Sequence, residues 1–134
     1  MDELLIEAKL ENMERVQTFI AERLEDCHPK VRNHIGIAVD EIFSNIAGYA
    51  YYPLAGIAFV RIAVGSDIVI EFEDNGVAYD PFSQNAPDVS LPIEERETGG
   101  LGLFMVKKIM DSVEYQRKGN KNILTIRKNL QVED

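Results

Sequence analysis

Three groups of residues in this chain of 134 amino acids have the types and spacing to do chemistry. The first is Glu41 with Asn45, in the run VDEIFSN, where apolar residues return every three or four positions. Placed at 100° intervals with Ile42 at zero, the apolar stripe keeps within roughly 40° of zero, and Glu41 and Asn45 fall roughly 60 to 100° to one side. They are therefore one turn apart on the flank of a buried face. From a cleft edge Glu41 could accept a proton, and Asn45 could offer Mg²⁺ a hard oxygen. The second group is Asp74-Asn75-Gly76, which closes a β-branched run. An ionised Asp74 could accept a hydrogen bond from an exocyclic amine such as that of adenine, and Gly76, lacking Cβ, would let the ring approach the backbone. The third is Gly99-Gly100-Leu101-Gly102, directly before a helical pattern. Unpaired amide N–H groups and the positive end of a helix dipole would there favour a phosphate. Taken singly, each group also fits an ordinary structural role: a solvated helix pair, a turn, a hinge.

Other chemistries are excluded. One cysteine, Cys27, rules out a disulfide framework, and with only His28 and His34 beside it no Cys/His zinc site can be assembled. There is no Walker A loop, no G-x-G-x-x-G opening a βαβ unit, and no G-x-S-x-G or Cys/His nucleophile pair. Fourteen Lys and Arg against 23 Asp and Glu give a net charge of −9, which repels phosphate backbones and makes direct nucleic-acid binding unexpected. The acidic start MDELLIEAKLENMERV is not a signal peptide, and no run of about 18 apolar residues suggests a membrane span. A cytoplasmic protein is expected.

The elements that must position these groups follow from periodicity. Leu4 to Leu10 alternates as a strand, Asn12 offers a cap, and Met13, Val16, Ile20 and Leu24 predict a helix to about Asp26. Pro29 starts a second helix, with Val31, Ile35, Ala38, Ile42, Ile46 and Tyr49 on one stripe, and Pro53 stops it. Ile57 to Val64 and Asp67 to Glu73 predict an antiparallel hairpin around Gly65-Ser66. From Asn75 to Gly100, about 25 residues without period and with Pro81, Pro87 and Pro92, a functional lid is expected. Leu101 to Asp111 resumes helical spacing, and strands near Val113 to Arg117 and Ile123 to Lys128 flank Gly119-Asn120. This order predicts an α+β two-layer sandwich, a mixed, mostly antiparallel sheet with its helices on one face.

In this order the three groups resemble the Bergerat-fold (GHKL) ATP-binding superfamily of gyrase, histidine kinases and mismatch-repair ATPases. The likeness is nearest to the bacterial anti-sigma-factor serine kinases. It rests on VDEIFSN (Val39 to Asn45), DNGVAYDP (Asp74 to Pro81) and GGLGLFMVKKIMDSVEY (Gly99 to Tyr115). It covers nearly the whole chain and implies one ATP-binding kinase domain over residues 1–134, with an ATP lid at about 77–99. The implied roles are Glu41 as general base, Asn45 as the Mg²⁺ ligand, Asp74 and Gly76 at adenine, and Gly99, Gly100 and Gly102 at the phosphates. Arg96 is implied at the terminal phosphate. The resemblance further implies a homodimer that sequesters a sigma factor and phosphorylates an anti-anti-sigma antagonist, with ATP and Mg²⁺ as cofactors. The alternative is a non-catalytic nucleotide-binding module that regulates by sequestering a protein partner. Two departures from the family pattern stand out: Tyr49-Ala50-Tyr51 lacks the histidine of an H-[AG]-Y ending, and Ala78 replaces the second glycine of a D-x-G-x-G box.

Overall fold

The computed structural model describes residues 1–50, 56–82 and 100–130. Five strands form one sheet in the order β1-β2-β3-β5-β4: β1 (Asp2–Glu7), β2 (Ile57–Val64), β3 (Asp67–Asp74), β4 (Ser112–Lys118) and β5 (Lys121–Asn129). Every pairing among these strands is antiparallel. Among the described residues three α-helices accompany them: α1 (Met13–Glu22), α2 (Pro29–Asn45) and α3 (Gly100–Ile109). The expected two-layer α+β sandwich is the observed one.

Helix α2 organises the helical layer. Pro29 stands in its first turn with φ suited to a helix and no amide to leave unpaired. The His28 imidazole accepts the Lys30 amide at 3.0 Å, capping the end. Val31, Ile35, Ala38, Val39, Ile42 and Phe43 are buried, a face wide enough to pack on the sheet while α1 and α3 flank it. On the sheet, Ala58, Val60, Ile62, Ile68, Ile70, Phe72, Leu124 and Ile126 point into the same core.

The register builds rows across this inner face. Leu4, Val60, Phe72, Leu124 and Tyr115 lie opposite one another on successive strands, and so do Ile6, Ala58, Asp74, Asn122 and Arg117. The first row is mostly apolar core; the second ends in three polar residues on adjacent strands. The opposite face carries an ion cluster. Arg61 approaches Glu3 at 2.5 Å, Glu73 at 3.2 Å and Glu71 at 3.7 Å, and Lys121 lies 3.5 Å from Glu73.

Several boundaries differ from the periodicity. Strand β1 occupies residues 2–7, because its pairing with β2 runs from Asp2↔Ile62 to Glu7↔Ile57, and Leu10 lies in a 3₁₀ turn. Asn12 does not cap α1; its side-chain amide donates to Glu7 O at 2.9 Å. Helix α1 stops at Glu22, and Leu24 reaches the core from the turn that follows. Helix α2 passes at Asn45 into a π-type turn over Ile46–Ala50. The Gly119-Asn120 turn is as expected, with Gly119 at φ 64°, a backbone conformation that a Cβ would strain.

Candidate functional site: a polar pocket where α2, β3, β5 and α3 meet

Asp74 ends β3 on the helix-facing side and is only 4% exposed. A buried carboxylate needs hydrogen-bond donors, and Oδ1 has two: the Gly76 amide at 2.8 Å and Asn122 Nδ2 at 3.0 Å. The Gly76 contact is the local bond expected of an Asx turn leaving a strand. Asn45 is 6% exposed, at the last position of α2. It lines one pocket with Asp74, Asn122, Ile42, Ile46, Tyr79, Pro81, Tyr115 and Leu124. The pocket has a volume of about 30 Å³.

One turn before Asn45, Glu41 lies against the start of α3. A methyl group added to Gly102 would overlap the Glu41 carboxyl group, so that carboxyl can hold its present position only because residue 102 lacks a Cβ. Burial pushes the Glu41 carboxyl above its ordinary value, and the charge of Asp40 adds to the shift. Glu41 also borders an open groove of about 480 Å³, shared with Gln17, Arg32, Gly36 and Asp40.

The structure thus brings Asn45 and Asp74 together in one pocket wall, with Gly76 bonded behind Asp74 through its amide, and sets Glu41 against Gly102 one helical turn away. Gly100 is the first residue of α3. Arg96 and Gly99 lie outside the described residues, as does the expected lid beyond Phe82. Among the described residues no group of three His, Cys, Asp or Glu could hold a metal ion. Asn45 supplies a neutral oxygen, which suits Mg²⁺ that arrives already bound to phosphates and not a dedicated protein cage.

Two contributors, Asn122 and Arg117, escaped the sequence reading, and two more, Tyr79 and Tyr115, lie within its motifs without an assigned role. Asn122 Oδ1 accepts from Tyr115 Oη at 2.5 Å, Arg117 Nη1 at 3.1 Å and the Tyr79 amide at 3.3 Å. Its Nδ2 donates to Val77 O at 2.9 Å as well as to Asp74. Arg117 Nη1 also donates to Gly76 O at 2.9 Å. A signal was present: Asn122 shares the alternation of Leu124 and Ile126, so a carboxamide stands where the pattern demands an inward apolar residue.

A helix presenting carboxylate and carboxamide, a strand-end aspartate and a glycine-rich helix start, on a sheet of this order, define the ATP-binding α+β sandwich. The histidine kinase-like ATPase domain family matches residues 6–128, and the chain belongs to that family. It is similar to the serine/threonine-protein kinase BtrW of Bordetella bronchiseptica, 28% identical over 99 residues that cover 72% of this chain and 70% of that one. It is also similar to the serine-protein kinase RsbW of Bacillus cereus, 32% identical over 93 residues, 66% of this chain and 58% of the relative. The chain therefore spans little more than half the length of the RsbW relative. Among solved structures, the RsbU and RsbW domains of a Mycobacterium tuberculosis protein superpose with a TM-score of 0.64 at 16% identity, covering 97% of this chain and 33% of that one. That likeness speaks for the fold.

Proposed function

We propose that this chain is an ATP-dependent serine protein kinase domain that acts as an anti-sigma factor in a partner-switching system. The observation that carries the reading is the meeting of two buried polar residues from distant parts of the chain, Asn45 and Asp74, in one pocket. The names of the curated relatives, serine-protein kinases, support the phosphotransfer. The protein substrate is a small anti-anti-sigma antagonist. Unengaged, the kinase holds a sigma factor as a cytoplasmic homodimer; no described helix is long and apolar enough to cross a membrane.

The residues fit Mg-ATP in distinct ways. Asp74 accepts the exocyclic amine of adenine, and Gly76 leaves room for the ring. A purine is several times larger than the present pocket, so seating it requires the pocket to widen. Asn45 would hold Mg²⁺ through its side-chain oxygen, and the first amides of α3, from Gly100 to Gly102, with Gly99 before them, would bind the phosphates. Arg96 is the lid cation for the terminal phosphate, within a single domain whose lid spans about 77–99. When bound, Mg-ATP supplies the phosphoryl group and the divalent charge that screens it. Glu41 accepts the proton of the incoming serine hydroxyl, which enters along the groove beside Gln17 and Asp40. Its raised pKa, caused by burial and by the neighbouring Asp40 charge, makes it a stronger base than an exposed glutamate.

Two measurements test this. Mg-ADP at 100 times its dissociation constant should stabilise the fold by about 2.7 kcal/mol, and Asp74→Ala should lose most of that shift; an unshifted wild-type melting curve overturns the reading. Labelled ATP with a partner recovered by pull-down should yield phosphoserine on the partner, and Glu41→Ala should abolish transfer while still binding nucleotide. Binding without any transfer would identify the sequestering module instead.

A further inference from the structure

Asn122 is the most heavily bonded side chain of the pocket, yet none of the motifs contains it. Its Oδ1 faces Tyr115 Oη, Arg117 Nη1 and the Tyr79 amide. A guanidinium and a backbone amide can only donate, so the atom they face must be the carbonyl oxygen. That forces Nδ2 toward Asp74 Oδ1 at 3.0 Å and Val77 O at 2.9 Å. The orientation of an asparagine amide is often a matter of choice; here two obligatory donors fix it.

The consequence falls on Asp74. A carboxylate on a single Cβ can rotate about its last torsion, a broad and soft one. With the Gly76 amide and Asn122 Nδ2 both on Oδ1, at 2.8 and 3.0 Å, the plane of the Asp74 carboxylate is held, and with it the direction of Oδ2. The same asparagine ties Val77 O and the Tyr79 amide, so the segment leaving Gly76 is anchored to β5. Arg117 Nη1 closes the unit by bonding Gly76 O at 2.9 Å and Asn122 Oδ1 at 3.1 Å.

We propose that Asn122, held by Tyr115 and Arg117, is the positioning residue that sets base selectivity: it orients Asp74 so that Oδ2 accepts a 6-amino group and rejects a 6-carbonyl. This rests on the reading of Asp74 as the adenine acceptor. A freely rotating carboxylate could turn away from a carbonyl at little cost; a clamped one must meet it lone pair to lone pair. Selectivity for the amine is then a property of the clamp as much as of Asp74.

The test is calorimetric titration of the full chain with Mg-ADP and Mg-inosine diphosphate, which differ in that a carbonyl replaces the exocyclic amine. The wild type should prefer ADP. Asn122→Ala should reduce the ADP-to-inosine ratio by about tenfold, the worth of one hydrogen bond. Tyr115→Phe, which removes one hydroxyl and no packing volume, should lower it severalfold and serves even if Asn122→Ala does not fold. A merely structural role would weaken both ligands alike, so an unchanged ratio in the folded variants overturns the proposal and leaves nucleotide binding standing. A wild type that binds both diphosphates equally overturns the adenine reading of Asp74 and this proposal with it.

Discussion

Replacing Gly102 by alanine should raise stability while removing activity. The added methyl would occupy the space of the Glu41 carboxyl group, which is the far end of a flexible side chain and can swing aside. Glycine inside a helix costs roughly 0.5–1 kcal/mol relative to alanine. Moving the Glu41 carboxyl back into water also removes the burial that raises its pKa. Both effects favour the variant, so the melting temperature should rise by about 2–4 °C for a domain of this size. Phosphotransfer should fall by about 10²–10⁴, the usual contribution of a positioned general base. Calorimetry of the unliganded protein and labelled-phosphate transfer on the same preparation read the two effects. A comparison is available at Gly36, where the methyl would meet only Gln17 Oε1 at 3.9 Å and the same propensity gain is expected. A Gly102→Ala variant that transfers phosphate at the wild-type rate would refute the reasoning. So would one destabilised by more than about 2 kcal/mol, since Glu41 would then be unable to yield.

Three further outcomes follow from the same geometry. Because burial raises the Glu41 pKa, folding favours its protonated form; the stabilisation is full below the unfolded value of 4.5 and is lost as pH rises through the folded value. Glu41→Gln should therefore be more stable than wild type at neutral pH, with the gap closing below about pH 4 in pH-dependent melting. Asn45→Ala should make ADP affinity less dependent on Mg²⁺ in titrations with and without chelator; undiminished dependence would take Asn45 off the ligand list. On the far side of the sheet, Arg61→Met should destabilise by about 1–3 kcal/mol in urea unfolding, because Glu73, 8% exposed, would retain among the described residues the Lys121 ammonium at 3.5 Å as its ion-pair partner.

What the sequence made legible was whatever repeats or clusters. Helix α2 is written in its apolar stripe and its Pro29 start, and both hairpins in β-branched runs around Gly65-Ser66 and Gly119-Asn120. Glu41, Asn45 and Asp74 were legible because each sits in a local pattern. Element ends were not, because they depend on partners. Strand β1 ends where β2 stops pairing with it, and α1 ends in a turn that still delivers Leu24 to the core. Asn122 was missed for the same reason. Its meaning comes from Asp74, 48 residues away in sequence and directly opposite in register.

The row Asp74, Asn122, Arg117 has a consequence for how the protein can fail. Side chains on a strand alternate between faces, so a slip of β3 against β5 by one residue would carry Asp74 and Asn122 to opposite sides of the sheet. The Asp74–Asn122 contact, proposed above as the adenine site, and the alignment of the strands are specified by the same pairing. If that row binds adenine as proposed, a misaligned but compact molecule would be blind to nucleotide, and ligand response would serve as a reporter of correct folding.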